Sequence, residues 1–216
     1  MNRKEAIQVA TNWFEDQGWK PAPFQKQAWT AYLQGKHGLL NAPTGSGKTL
    51  ALWVPIVLQL MMEAKGTPIK GLKAIWITPL KSLSNEIKIA SERFAEGLGL
   101  ELTVGIRNGD TSTNERAKQR RNFPNLLITT PESLHLLLAS KDYQQKMKGL
   151  KALVVDEWHE LLGSKRGVQV ELATSRLLTV ANDIRVWGIS ATIGNLEQGM
   201  QVLLGNRAGV ADQAVL

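Results

Sequence analysis

Five short apolar runs alternate with six longer amphipathic stretches, and no other feature of the sequence constrains the fold so tightly. The runs are Leu39-Leu40, Ala74 to Ile77, Leu126 to Ile128, Leu153 to Val155 and Arg185 to Ile189; rich in branched or aromatic residues, they read as buried strands. The stretches, at about Gln25 to Gln34, Lys48 to Glu63, Lys81 to Glu96, Thr113 to Arg121, Pro131 to Ala139 and Val168 to Val180, carry apolar residues at helical spacing. Strand alternating with helix predicts an α/β fold: a mostly parallel twisted sheet, helices on both faces and right-handed crossovers. Each run stops at a small or polar cluster: Asn41-Ala42-Pro43-Thr44, Thr78-Pro79, Thr129-Thr130-Pro131, Asp156-Glu157 and Ser190-Ala191-Thr192. These clusters fall at strand C-terminal ends, the edge where open α/β sheets bind ligands, so they are expected to form one contiguous site.

Composition narrows the class. A chain of 216 residues, 43% of them hydrophobic, holds one large domain or two tight ones and is too apolar to be disordered. With no cysteine it has no disulfide framework, thiolate zinc site, iron–sulfur cluster or cysteine nucleophile, and a cytoplasmic protein is the simplest expectation. The opening MNRKEAIQVATNW is amphipathic and lacks the unbroken apolar stretch of a secretory signal. Leu50 to Met62, the most apolar segment, contains Pro55 and Gln59 and falls short of the ~20 residues of a membrane span, so it is expected to be a buried helix and no membrane partner is expected. Lys and Arg total 26 against 19 Asp and Glu, a net charge of +7 that suits an anionic partner or a solvated basic face.

Ala42-Pro43-Thr44-Gly45-Ser46-Gly47-Lys48-Thr49 lies between a strand and an apolar helix, and matches the Walker pattern with Ala in the first glycine position. Gly45 and Gly47 let the backbone turn its N–H groups around a β-phosphate, and the following helix adds its positive end. Thr44 through Thr49 are therefore the nucleotide-binding candidates: Lys48 reaches the β- and γ-phosphates, and the Thr49 hydroxyl binds the Mg²⁺ that bridges them. At the next acidic strand end, Asp156 would hold the Mg²⁺ shell and Glu157 would orient and deprotonate the attacking water. His159 is placed to hydrogen-bond to the following strand end, where Ser190 and Thr192 offer hydroxyls to the acidic cluster. Upstream, Gln25 can pair with adenine, with Trp19 or Phe14 stacking on the ring; the competing reading is a rigid capped turn that packs its aromatics into the core.

Thr78-Pro79 and Thr130-Pro131 repeat one device, a Thr N-cap followed by Pro in the first helical turn. Free N–H groups at two such helix starts, with Lys81, Ser82 and Ser133 nearby, suit successive phosphates of a nucleic-acid strand; ordinary capping is the alternative. Gly109-Asp110-Thr111 reads as a further phosphate-contacting turn or as a plain loop. Arg116, Lys118, Arg120 and Arg121 form a solvated helix face, with nucleic-acid contact as the second reading. Trp29, Trp53, Trp76 and Trp187 are assigned to the core; Trp158 fits either role.

In order, PAPFQ, APTGSGKT, TPLKSL, TTPES, VVDEWH and SAT resemble motifs Q, I, Ia, Ib, II and III of the first RecA-like domain of superfamily two helicases. DEWH followed by ELLGSKRGVQVEL resembles the large helicase-related family, Lhr. GWKPAPFQKQAW with RVWGISATIGNL is similar to its bacterial branch, the ligase-associated DEXH-box helicases of the DNA damage response. The likeness covers nearly the whole chain, residues 1–216, with a Q-motif region at about 1–36.

The resemblance implies an ATP- and Mg²⁺-dependent helicase of the bacterial cytoplasm and nucleoid. It would translocate on single-stranded DNA, 3′ to 5′, unwind duplexes that include RNA–DNA hybrids, serve DNA repair and work beside a DNA ligase or nuclease. The family's roles fall on Gln25, Lys48, Thr49, Asp156, Glu157, His159, Ser190 and Thr192, with Thr78 to Leu83 and Thr130 to Ser133 against the nucleic-acid backbone; Arg166 and Gly167 belong to the family's run after DEWH. The sequence given ends shortly after SAT, before the family's second RecA-like domain and its arginine fingers. Arginine fingers add about 10³ to 10⁵ in rate, so this chain by itself is expected to bind nucleotide and scarcely hydrolyse it. Two rivals are a nucleic-acid module with a regulatory or inactive nucleotide site, and a translocase that does not separate strands.

Overall fold

The computed structural model describes residues 1–191, 194–205 and 213–215. Seven strands form one sheet among these residues: β1 (His37–Asn41), β2 (Ala74–Ile77), β3 (Val104–Arg107), β4 (Leu126–Thr129), β5 (Ala152–Val155), β6 (Arg185–Ser190) and β7 (Gln213–Val215). Their order is β3-β4-β2-β5-β6-β1-β7 and every pairing is parallel, as the alternation of runs and stretches predicted. The five apolar runs are β1, β2, β4, β5 and β6.

Continuous apolar runs are what a two-sided core requires, because successive residues of a strand face opposite ways. Leu40, Trp76, Ile128, Val154 and Trp187 pack against α1 (Arg3–Asp16), α2 (Pro23–Leu33), α3 (Lys48–Ala64) and α4 (Leu83–Gly97). Their neighbours Leu39, Ile75, Leu127, Leu153 and Val186 meet the other layer: α6 (Pro131–Leu138), α7 (Tyr143–Met147), α8 (Trp158–Leu161), α9 (Lys165–Val180) and α10 (Leu196–Leu204). The short α5 (Thr113–Arg121) lies along the β3 edge, where Gln119 Nε2 donates to the Ile106 carbonyl at 3.0 Å. The apolar α3 runs through Pro55 and is buried from Ala51 to Leu60. Among the described residues no helix is long and apolar enough to cross a membrane.

Some elements differ from the sequence reading. The chain opens with α1, whose first turn is closed by a capping box: Asn2 Oδ1 accepts from Glu5 N–H at 3.0 Å while Glu5 accepts from Asn2 N–H at 2.8 Å. Thr78 is not an N-cap. The chain leaves β2 through a turn in which Thr78 Oγ1 accepts from Leu80 N–H at 3.4 Å, and α4 starts only at Leu83. The second Thr-Pro pair does form the expected start of α6, with Thr130 Oγ1 accepting from Ser133 N–H at 3.4 Å and Pro131 in the first turn.

The strand order divides the C-terminal edge in two. The ends of β5, β6 and β1 lie side by side, and those of β3, β4 and β2 form the other half.

Candidate nucleotide and nucleic-acid site

The loop from Ala42 to Gly47 leaves β1 and is tied at its start to β6, where Ala42 N–H donates to the Ser190 carbonyl at 3.1 Å. Gly45 and Gly47 hold φ of 76° and 88°, left-handed values that favour glycine and let consecutive N–H groups turn inward. The Ser46 hydroxyl donates to the Pro43 carbonyl at 2.7 Å, so the loop is shaped by its own bonds. Thr44 is exposed and Thr49 half-buried in the first turn of α3. Lys48 opens that helix, and its buried Nζ has no hydrogen-bond partner among the described residues. An ammonium with three donors and none used is the group a phosphate requires.

Gln25, only 4% exposed, joins two segments: Oε1 accepts from Ala22 N–H at 2.8 Å and Nε2 donates to the Gly47 carbonyl at 3.0 Å. One lone pair and one N–H hydrogen remain on the amide, the pair of groups an adenine edge takes. Phe14 is buried against Trp29, so the alternative in which it stacks on a base gives way to core packing. Trp19 is 41% exposed beneath the Arg93 guanidinium, 4.7 Å from the ring centre.

Asp156 follows β5 and is buried. Its Oδ1 accepts from Glu157 N–H at 3.0 Å and its Oδ2 from the Trp76 indole at 3.3 Å. Burial is the largest influence on this carboxyl; the two N–H donors and Lys48 oppose it, the Glu157 charge adds to it, and the pKa is pushed up from 3.8 to about 6. Glu157 has φ 47° and ψ 45°, a left-handed conformation that strains a non-glycine residue and turns its side chain back toward His159. Glu157 Oε2 lies 3.5 Å from His159 Nδ1, and that nitrogen lies 3.1 Å from Ser190 Oγ. Ser190 therefore touches the phosphate loop through its carbonyl and the acidic cluster through its hydroxyl. Thr192 lies outside the described residues.

On the other half of the edge, Thr78, Pro79, Thr130, Pro131 and Ser133 are buried, and the expected free N–H groups are already used there: Thr78 N–H donates to the Thr129 carbonyl at 2.9 Å, Ser133 N–H to Thr130 Oγ1, and the two prolines have none. Lys81 and Ser82 are exposed, and Lys81 Nζ pairs with both Asp110 oxygens at 2.8 Å. The Gly109-Asp110-Thr111 segment thus acts as a brace for the β2 turn, itself held by Arg116, whose guanidinium donates to the carbonyls of Thr111 at 2.9 Å and Asn108 at 2.8 Å. Arg116 therefore holds a loop, where the sequence suggested a solvated face.

Sequence reasoning named Trp76 and Arg166 but missed what they do. Trp76 was assigned to packing alone, and its ring is indeed buried, but its N–H serves Asp156. Arg166, near the start of α9, donates from Nη2 to the Pro79 carbonyl at 3.0 Å and places Nε 2.7 Å from Glu132 Oε1. Partial burial raises the Glu132 carboxyl, but the helix-start N–H, Arg166 and Thr130 outweigh it and hold that carboxyl below the usual range. Gly167 explains itself: an added Cβ would sit 2.1 Å from the Leu161 carbonyl oxygen. All the fully buried tryptophans, Trp158 included, belong to the core.

A wholly parallel sheet with a glycine-bent phosphate loop and an acidic strand end beside it defines a RecA-like nucleotide-binding domain. The chain belongs to the DEAD/DEAH box helicase family, whose model matches residues 22–198. It is similar to the ATP-dependent helicase Lhr-Core of Methanothermobacter thermautotrophicus, 35% identical over 186 residues, which are 82% of this chain and 22% of that protein. It is also similar to the Lhr helicase/uracil glycosylase of Escherichia coli K12, 36% identical over 213 residues, 91% of this chain and 14% of that protein. The chain thus spans less than a quarter of either relative. Among solved structures, the Mycobacterium smegmatis helicase Lhr bound to ssDNA and AMP-PNP superposes with a TM-score of 0.78 at 31% identity, covering 99% of this chain and 27% of that one.

Proposed function

We propose that this chain is the ATP-binding motor unit of an Lhr-type helicase that moves along single-stranded DNA. The observation that carries the reading is the presence, at one sheet edge, of a buried Lys48 ammonium with no hydrogen-bond partner among the described residues and a buried Asp156 carboxyl whose charge burial disfavours. Each lacks what the other ligand of a magnesium–triphosphate complex supplies: phosphate for Lys48, a divalent cation for Asp156. In this reading Thr49 and Asp156 hold Mg²⁺, the loop from Thr44 to Gly47 wraps the phosphates, and Gln25 offers its remaining donor and acceptor to adenine. Glu157 orients and deprotonates the attacking water. His159 and Ser190 link that carboxylate to β6, the route by which nucleotide chemistry reaches the rest of the motor.

The strand binds across the ends of β3, β4 and β2, on the exposed Lys81 and Ser82 and over the turns that follow Thr78 and Thr130. The likeness to a relative solved with ssDNA and AMP-PNP supports both halves of the reading. A bacterial cytoplasmic setting, 3′ to 5′ movement, a role in DNA repair and a DNA ligase or nuclease partner rest on the motif resemblance.

Calorimetric titration of Mg²⁺ with ATP or ADP, with and without oligo-dT, tests the site. Wild type binds nucleotide and Lys48→Ala does not, while both bind the strand. Equal nucleotide binding by Lys48→Ala would sink the proposal.

A further inference from the structure

Glu132 is in the wrong place for a surface that binds phosphates. Its carboxylate, half exposed, sits in the first turn of α6, on the edge proposed to meet a nucleic-acid backbone. Taken alone it would repel the ligand. It is paired with Arg166, whose other arm reaches the Pro79 carbonyl on the turn after β2. That turn is also tied, through the Lys81–Asp110 ion pair, to the loop after β3.

Arg166 itself projects from a fixed point. Ser164 caps α9 by accepting from Gly167 N–H at 3.1 Å, and the missing Cβ of Gly167 lets the helix start close onto Leu161. A guanidinium suits this arrangement because it carries a charge spread over several nitrogens, so that one side pairs with the Glu132 carboxylate while Nη2 donates to the Pro79 carbonyl, whereas an ammonium is a point charge.

We propose that Arg166 is a positioning residue for the nucleic-acid track, fixing the spacing between the β2 turn and the first turn of α6 so that both meet one strand. The proposal rests on the functional reading that the ends of β2 and β4 bind nucleic acid. It gives Glu132 a function that its charge alone does not.

The test is fluorescence anisotropy of labelled oligo-dT over a range of salt concentrations, with wild type, Arg166→Ala, Arg166→Lys and Glu132→Gln. Binding of a fluorescent ADP, made by residues remote from the clamp, verifies the fold of each variant. Arg166→Lys keeps the charge and loses the fork; Glu132→Gln removes a negative charge from the surface. Both are expected to weaken binding by about three- to tenfold. The slope of log affinity against log salt stays at the wild-type value, because no phosphate contact is lost.

Three results would overturn the clamp: Arg166→Lys binding as wild type, Glu132→Gln binding more tightly, or an Arg166 variant lowering the slope by about one, the mark of a direct phosphate contact. Variants indistinguishable from a wild type that binds the strand overturn the clamp alone. A wild type that does not bind oligo-dT overturns both the clamp and the interface.

Discussion

Replacing Asp156 by Asn should make the ligand-free protein more stable while destroying its affinity for magnesium nucleotide. Burial lifts the Asp156 carboxyl from 3.8 to about 6, so the folded chain holds this proton more tightly than the unfolded chain does. Ionising the group therefore costs folding free energy: the cost is absent below about pH 4, grows as pH rises toward 6, and is fully present above it. At about 1.4 kcal/mol per pH unit the gap amounts to about 3 kcal/mol. Asparagine removes the charge, but its amide nitrogen must face one of the two donors that the carboxylate accepts, Trp76 Nε1 or Glu157 N–H. An unmatched buried donor costs about 1–3 kcal/mol, which leaves a net gain of about 1 kcal/mol at pH 8. For a chain of this size that is about 2–4 °C in Tm.

Thermal melts in EDTA at pH 8 should show Asp156→Asn melting above wild type by that margin, with the order reversing toward pH 4.5, where the cost of the wild-type charge falls to about 1 kcal/mol and the variant's unmatched donor remains. Adding magnesium and ATP should reverse the order, since a ligand at 100 times its Kd adds about 2.7 kcal/mol to wild type alone. A variant that melts below wild type at pH 8, or an advantage that does not shrink in acid, would refute the account of Asp156 as a desolvated charge.

Two further substitutions probe its surroundings. Trp76→Phe keeps an aromatic side chain and deletes the indole donor, so Asp156 should ionise less readily and magnesium–ATP affinity at pH 7 should fall by up to about tenfold, with the loss shrinking at pH 8.5; titration calorimetry at both pH values measures it. Gly167→Ala forces a methyl group against the Leu161 carbonyl and should cost about 1–3 kcal/mol in denaturant unfolding, with the nucleotide site intact in the folded fraction.

The parts of the fold legible in the sequence were those whose signal is local. Buried parallel strands are uninterrupted apolar runs, which is why β2, β4, β5 and β6 stood out, whereas β3 is broken by Gly105 and ends in Arg107. The capping box of α1 was also local, an Asn three residues before a Glu, and open to the same kind of reading. The two Thr-Pro pairs look alike and behave differently because their hydroxyls meet different backbone groups downstream: Thr130 meets Ser133 N–H within a helix, while Thr78 turns back on Leu80. In the site, the phosphate loop and the Asp156-Glu157 pair were legible from spacing and strand context. Arg166 was not, since its partner Pro79 lies 87 residues away and nothing in the sequence joins them. The Trp76 indole was hidden for the same reason, with Asp156 80 residues off.

That indole also gives the protein an optical property. The N–H groups of Trp53, Trp158 and Trp187 end on backbone carbonyls, those of Ser91, Gly199 and Lys36, whose dipoles do not titrate. Trp76 ends on a carboxylate whose charge changes on protonation and on meeting a cation. Its emission is therefore expected to follow the charge state of Asp156, so that the wavelength of the protein's own fluorescence would report a cation arriving at that carboxylate, with Trp76→Phe as the dark control.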